Sequence, residues 1–164
     1  MPLNTFIMAI KEMMIPKKNR GLTMGRPAYE TQESLLNEAE VASKVAAIWG
    51  CDTDKMPRRM QIDYAISRDN VVCGFVEVKC RTKNIEDYPY YFIALTKVME
   101  AKSLNKTTGL PCFLAVRSAN GKIHMIRLDE AEFTLKIAGR RDRNDPDDIE
   151  PCCFFEVSKF KELK

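Results

Sequence analysis

Asp63, Glu77 and Lys79 are the residues whose types and spacing point most directly to bond-breaking chemistry. Two carboxylates offer the hard oxygen ligands that Mg²⁺ or Mn²⁺ selects. An ammonium group beside them can orient a water or neutralise a pentacovalent phosphate, and either role suits Lys79. A bare Glu-x-Lys carries little information. The chain holds three of them, at 77–79, 100–102 and 162–164, and 13 Glu and 15 Lys make about one match expected by chance. Context separates them. Glu100 and Lys102 fall in a helical pattern, where residues two apart point away from each other. Glu162 and Lys164 lie at the end of the chain. Glu77 and Lys79 sit inside the apolar, β-branched run Val71–Cys80, where residues two apart share a face. Two charges on one face of such a strand make either a solvent-exposed ion pair or a site.

The partner for that face is Asp63, in the alternating run 60–66. Ser67, Arg68, Asp69 and Asn70 between the two runs signal a turn, so a hairpin is expected. With a three-residue loop, Asp63 faces Phe75 and stands diagonally from Glu77, about 7–8 Å away between backbones. A two-residue loop would set Asp63 opposite Val76 and turn it away, unless a bulge, for which Gly74 is the candidate, restores the face. Carboxylates this close repel one another unless a dication lies between them. Asp63, Glu77 and the Val78 carbonyl form a suitable oxygen set, and a bound ion would polarise a phosphate and activate a water.

These residues need elements to hold them. The segment 31–49 reads as a helix capped by Thr31 and stopped by Gly50, with Leu35, Ala39, Ala42, Val45, Ala46 and Trp49 inward. Glu38 falls on that stripe, where a carboxylate is costly unless paired or bound to a cation, so it is a fourth site candidate. A second helix is expected from Ile93 to about Lys106, ended by Gly109 and Pro111. Strands follow at 112–116, 122–128 (after the Asn120-Gly121 turn), 133–137 and 153–157, with a helical turn at 159–163. Strand, helix, strand implies a parallel pair, and the hairpins imply antiparallel ones. The expected fold is α/β, a mixed central β-sheet flanked by helices, over residues 31–164, after a basic N-terminal arm at 1–30 with a short helix near 4–14.

Asp63, thirteen intervening residues and then Glu77-Val78-Lys79 resemble the PD-(D/E)xK nuclease superfamily. The resemblance covers about residues 31–128. It includes an acidic residue on the first helix, where Glu38 stands, and the strand–helix–strand after the motif. One departure is Ile62 in place of the proline before the aspartate. The resemblance implies a restriction-endonuclease-like core and Mg²⁺- or Mn²⁺-dependent hydrolysis of phosphodiester bonds, usually in DNA. Catalytic roles fall on Asp63, Glu77, Lys79 and Glu38. Metal binding falls on Asp63, Glu77, Val78 and Glu38. Small phage nucleases and Holliday-junction resolvases, the latter two-fold dimers, are similar in size. A non-catalytic nucleic-acid-binding module of the same fold is the alternative.

Composition agrees with an intracellular DNA partner without demanding it. The 164 residues carry a net charge of +3 from 26 basic and 23 acidic side chains, which is only mildly basic. Arg58, Arg59, Arg81, Lys83 and Lys97 cluster near the motif, and Tyr91 could stack on a base. Arg140, Arg141 and Arg143 stand in a later charged loop. The six cysteines include no Cys-x-x-Cys pair, so reduced, mostly buried thiols are expected rather than structural zinc. His124 has no evident partner and reads as structural. No membrane or targeting segment is visible, so the expected location is the cytoplasm of a bacterial or phage-infected cell.

Overall fold

A computed structural model describes residues 31–139 and 149–164. The N-terminal arm, its short helix, and Arg140, Arg141 and Arg143 lie outside the described residues. Helix α1 (Gln32–Trp49) begins as expected at Thr31, whose hydroxyl accepts the Ser34 N–H at 3.1 Å while Ser34 Oγ accepts the Thr31 N–H at 3.0 Å. Gly50 ends it in the left-handed region, at φ 60°. The stripe differs from the expected one. Val41, Ala42 and Val45 are buried, whereas Leu35 and Ala39 are exposed, because the helix presents only its middle turns to the sheet.

The strands of the main sheet are β1 (Asp52–Lys55), β2 (Tyr64–Arg68), β3 (Val71–Cys80), β5 (Cys112–Arg117), β6 (Ile123–Arg127) and β9 (Lys161–Glu162), in the order β1-β2-β3-β5-β6-β9. The β3–β5 pair is parallel and every other pair is antiparallel, which is the expected mixed sheet. Helix α2 (Leu95–Thr108) makes the crossover between the parallel strands and ends at Gly109, φ 72°. One face of the sheet, with Tyr64, Ile66, Val76, Val78 and Ala115, packs under α1. The other, with Ala65, Phe75, Leu114 and Val116, packs against Val98 and Ala101 of α2.

Three expected boundaries are corrected. The run 60–66 does not pair from Met60, since β2 begins at Tyr64. The second helix begins at Leu95, because Tyr90–Ala94 is strand β4. Its alternation buries Tyr91 and Ile93 and exposes Tyr90 and Phe92, a period of two that the helical reading of Ile93 and Ala94 obscured. Strand β4 joins β8 (Ile149–Glu156) and β7 (Thr134–Gly139) in a separate three-stranded sheet, order β4-β8-β7. The end of the chain is a 3₁₀ turn, Val157–Lys159, and then β9, not a helical turn at 159–163. Strand β1 was not expected at all. It is a polar edge strand with no apolar alternation to reveal it.

The hairpin register decides where Asp63 goes. The loop has two residues, Asp69 and Asn70, with φ 51° and 60°, the paired left-handed geometry of a type I′ turn. Arg68 therefore pairs with Val71 and Ser67 with Val72. The register then slips, so that Ile66 pairs with Gly74, Ala65 with Phe75 and Tyr64 with Val76, and Cys73 is the extra residue of a bulge. Continuing that register by one step sets Asp63 against Glu77. The expected three-residue loop is absent. The bulge supplies the missing residue instead, and brings the two acids directly across rather than diagonally. Gly74 beside it allows a close approach, since a Cβ there would lie 3.2 Å from the Pro111 carbonyl oxygen.

Candidate metal-binding and catalytic site

Asp63 lies at the end of β2, half-buried, and its Oδ2 accepts the Val78 N–H at 2.9 Å. This bond crosses from the first acidic residue to the residue between Glu77 and Lys79, and it fixes the aspartate against β3. Glu77 is fully buried, on the α2 face of β3 beside Phe75. Burial pushes its carboxyl above the ordinary range. Lys79 opposes that shift, the nearby Asp63 charge adds to it, and Lys97 opposes it again. The Lys79 ammonium stands 2.5 Å from Glu77 Oε1. Burial would lower its pKa, but Glu77 and Asp63 hold it above the usual lysine value, so Lys79 is a fixed cation.

Lys97, on the first turn of α2, stands 3.0 Å from Glu77 Oε1 and donates to Oε2 at 3.1 Å and to the Gln61 carbonyl. Its ammonium thus makes two hydrogen bonds inside the protein and an ion-pair contact with Oε1. The expected phosphate contact by Lys97 is thus replaced by a place within the acidic site. Its position was visible in the sequence, on the flank of the stripe formed by Ala94, Ala101 and Leu104, where a charge calls for a partner.

The expected convergence of Glu38, Asp63 and Glu77 is not what the structure shows. Helix α1 packs on the face opposite Glu77, and the three carboxylates do not close to within 4.8 Å as a set. Lys55 of β1 stands at the junction. It donates to Glu38 Oε2 at 2.9 Å, lies 3.8 Å from Asp63 Oδ1 and covers the Tyr64 ring at 4.7 Å. Sequence reasoning missed Lys55, because the strand that carries it has no hydrophobic signature. Tyr91 is likewise re-placed. It is buried, packs edge-on against Phe160 and lies under the Arg81 guanidinium at 5.3 Å, so it offers no face to a base. Its buried hydroxyl has no hydrogen-bond partner among the described residues. Arg58, Arg59, Arg81 and Lys83 are exposed, as phosphate-contacting groups need to be.

The donor chemistry of Asp63 and Glu77 fits a hard divalent ion. Both are carboxylates, and the buried Glu77 Oε1 has ion-pair neighbours but no well-aligned hydrogen-bond donor. Among the described residues, the one group of three or more ligating side chains with metal-like spacing lies elsewhere, formed by Glu86, His124 and Glu162. Lys122 bridges its two glutamates at 3.2 Å each, and His124 Nε2 lies 3.4 Å from Glu86 Oε1. His124 has a partner after all, in a charge-compensated cluster that ties β9 to the body.

The chain belongs to the family described as "Phage putative PDDEXK endonuclease", whose model matches residues 24–163. It is thus a member of a nuclease family of the class that its motif resembles. No curated protein sequence matches the chain. Among solved structures, it is similar to Hjc, a Holliday junction resolvase from the archaeal hyperthermophile Archaeoglobus fulgidus. The two share 11% identity with a TM-score of 0.52, over 77% of this chain and 92% of that one. At this identity the likeness is one of fold, and that fold is restriction-endonuclease-like.

Proposed function

We propose that the protein is a Mg²⁺- or Mn²⁺-dependent endonuclease that hydrolyses phosphodiester bonds in DNA by an activated water. The observation that carries this reading is the juxtaposition of the buried Glu77 with Asp63, locked across the hairpin by the bond to the Val78 N–H. A buried acid set beside a second acid is costly, and it serves a cation better than it serves folding. Asp63, Glu77 and the Val78 carbonyl would hold the ion. When bound, the ion supplies Lewis-acid polarisation of the phosphate and a water of lowered pKa. Glu38 acts on this set from the opposite face, through Lys55 and Asp63 rather than as a direct partner of Glu77.

The chain's own residues do the rest. Lys79 is held as a cation beside Glu77, and it would orient the water or neutralise charge on the phosphate. Arg58, Arg59, Arg81 and Lys83 grip backbone phosphates on either side. No described histidine or cysteine stands in the acidic site, so the nucleophile is water rather than a side chain. The site of action is the cytoplasm of a bacterial or phage-infected cell.

The test is digestion of plasmid, single-stranded and branched DNA with Mg²⁺ or Mn²⁺. Asp63→Ala and Lys79→Ala should each lose at least about 10³-fold in rate while retaining the wild-type circular dichroism spectrum. Equal cutting by wild type and both variants would overturn the assignment. Binding of DNA without cleavage by any of them would favour the binding-module alternative. The fold shared with a resolvase motivates a narrower reading, a homodimer that cuts opposing strands of a junction. Preferential cutting of branched DNA by a dimer in gel filtration would support it.

A further inference from the structure

Glu77 has more positive partners than one buried carboxylate needs. Lys79, two residues along the same strand, stands 2.5 Å from Oε1. Lys97 arrives from a different element, α2, and engages both oxygens, at 3.0 and 3.1 Å, together with the Gln61 carbonyl. Gln61 is two residues before Asp63, so Lys97 links the segment that leads into β2 with Glu77 of β3. Its acceptors are two carboxylate oxygens and a backbone carbonyl. These are all hard oxygens, the ligand set that a small dication selects.

We infer that Lys97 is the counter-ion of Glu77 whenever no divalent ion is bound, an ammonium group that holds the place of the ion and gives way to it on binding. This rests on the reading of Asp63 and Glu77 as metal ligands. The physical reason is charge. Glu77 is wholly removed from water and also feels the charge of Asp63, so without an ion its carboxylate needs cations beside it. With a dication bound, an ammonium group on the same oxygens is repelled, and a lysine has the flexible stem to withdraw. The Lys97 side chain keeps about a fifth of its surface exposed, so its tip has a way out toward solvent. Lys79 contacts Oε1 only, so it can stay beside the carboxylate while the ion takes the acceptors that Lys97 leaves. Its charge remains for the water or the phosphate, and the two lysines divide their duties. Lys97 neutralises Glu77 before the ion arrives, and Lys79 acts after it.

The measurement is Mn²⁺ affinity without DNA, by titration calorimetry, on the full chain. Replacing the rival ammonium by an uncharged chain of similar length, Lys97→Met, should tighten Mn²⁺ binding by at least about tenfold. Lys97→Arg should weaken it by a similar factor, because a guanidinium holds a carboxylate through two parallel bonds and releases it less readily. Thermal melts give a second readout. Lys97→Met should melt below wild type in chelator and regain more than wild type on adding Mn²⁺. Unchanged or weaker Mn²⁺ binding by Lys97→Met would overturn the inference. If that variant does not fold, the arginine variant decides alone, and unweakened Mn²⁺ binding by it overturns the inference. Glu77→Gln separates the two readings. If it binds Mn²⁺ as well as wild type, the assignment of the metal ligands fails and this inference fails with it. If it loses Mn²⁺ while Lys97→Met shows no gain, only the exchange is wrong.

Discussion

Asp129 shows what a buried acid looks like when its task is structural. Its Oδ1 accepts the Cys112 N–H at 2.9 Å, its Oδ2 accepts from Arg127 Nη2 at 2.6 Å, and Lys102 binds its backbone carbonyl at 2.8 Å. Burial would raise its pKa, but the Arg127 hydrogen bond and the Cys112 N–H outweigh it and hold the carboxyl below the usual range. Glu77 is still more deeply buried, is pushed the other way, and has no backbone donor among the described residues. One carboxylate is satisfied by the fold, and the other is the one proposed to hold a metal ion. The sign for Asp129 follows from linkage. A depressed folded pKa contributes stability at every pH above the ordinary aspartate value, and that stability is lost as pH falls through the folded value. Asp129→Asn should therefore lower stability by about 2 kcal/mol at neutral pH, read from urea unfolding. The difference from wild type should shrink below about pH 4.

At the scale of the element, the β2–β3 hairpin sets the chemistry. Its turn places Asp69 and Asn70 at φ 51° and 60°, which side chains adopt at a cost that glycine does not share. Asn70→Gly should raise stability by about 0.5 kcal/mol and leave cleavage unchanged, checked by thermal melting and a rate assay. The bulge is a different matter. Removing Cys73 would delete the unpaired residue, so that Ile66–Gly74 follows Ser67–Val72 directly and Asp63 stays against Glu77. That deletion should keep cleavage within about tenfold of wild type, with the sheet signal in circular dichroism kept. A much larger loss with the sheet intact would mean that the local twist of the bulge, and not only the pairing of Asp63 with Glu77, is needed.

At the scale of the whole molecule, two layers of core enclose the sheet, and the thiols report on both. All six cysteines are free. Cys112, Cys152 and Cys153 are buried, and burial pushes the Cys153 thiol up to about 11. Cys51, Cys73 and Cys80 are half-buried. A thiol reagent should therefore modify three cysteines in the native protein and all six in denaturant, and the melting temperature should not respond to reductant. Six equally fast thiols would contradict the packing of β5 and β8. No described helix is long and apolar enough to cross a membrane.

Local chemistry was enough to announce α1, since Thr31 and Gly50 are cap residues whatever surrounds them, and to announce β3, β5 and the Asn120-Gly121 turn. It also singled out Glu77 and Lys79, because two charges on one face of an apolar strand are conspicuous without any fold. Strands β1 and β4 were not legible. One is polar and the other runs straight into a helix, so neighbours rather than local pattern make them strands. The meeting of Asp63 with Glu77 depended on a one-residue slip at Cys73 that no composition signals. The partners Lys55 and Lys97 come from elements distant along the chain. The sequence by itself determined which residues could carry the chemistry, because residue type and pleat period are local. Only the tertiary structure decided which of them meet, because register and electrostatic pairing are properties of strands and helices packed together.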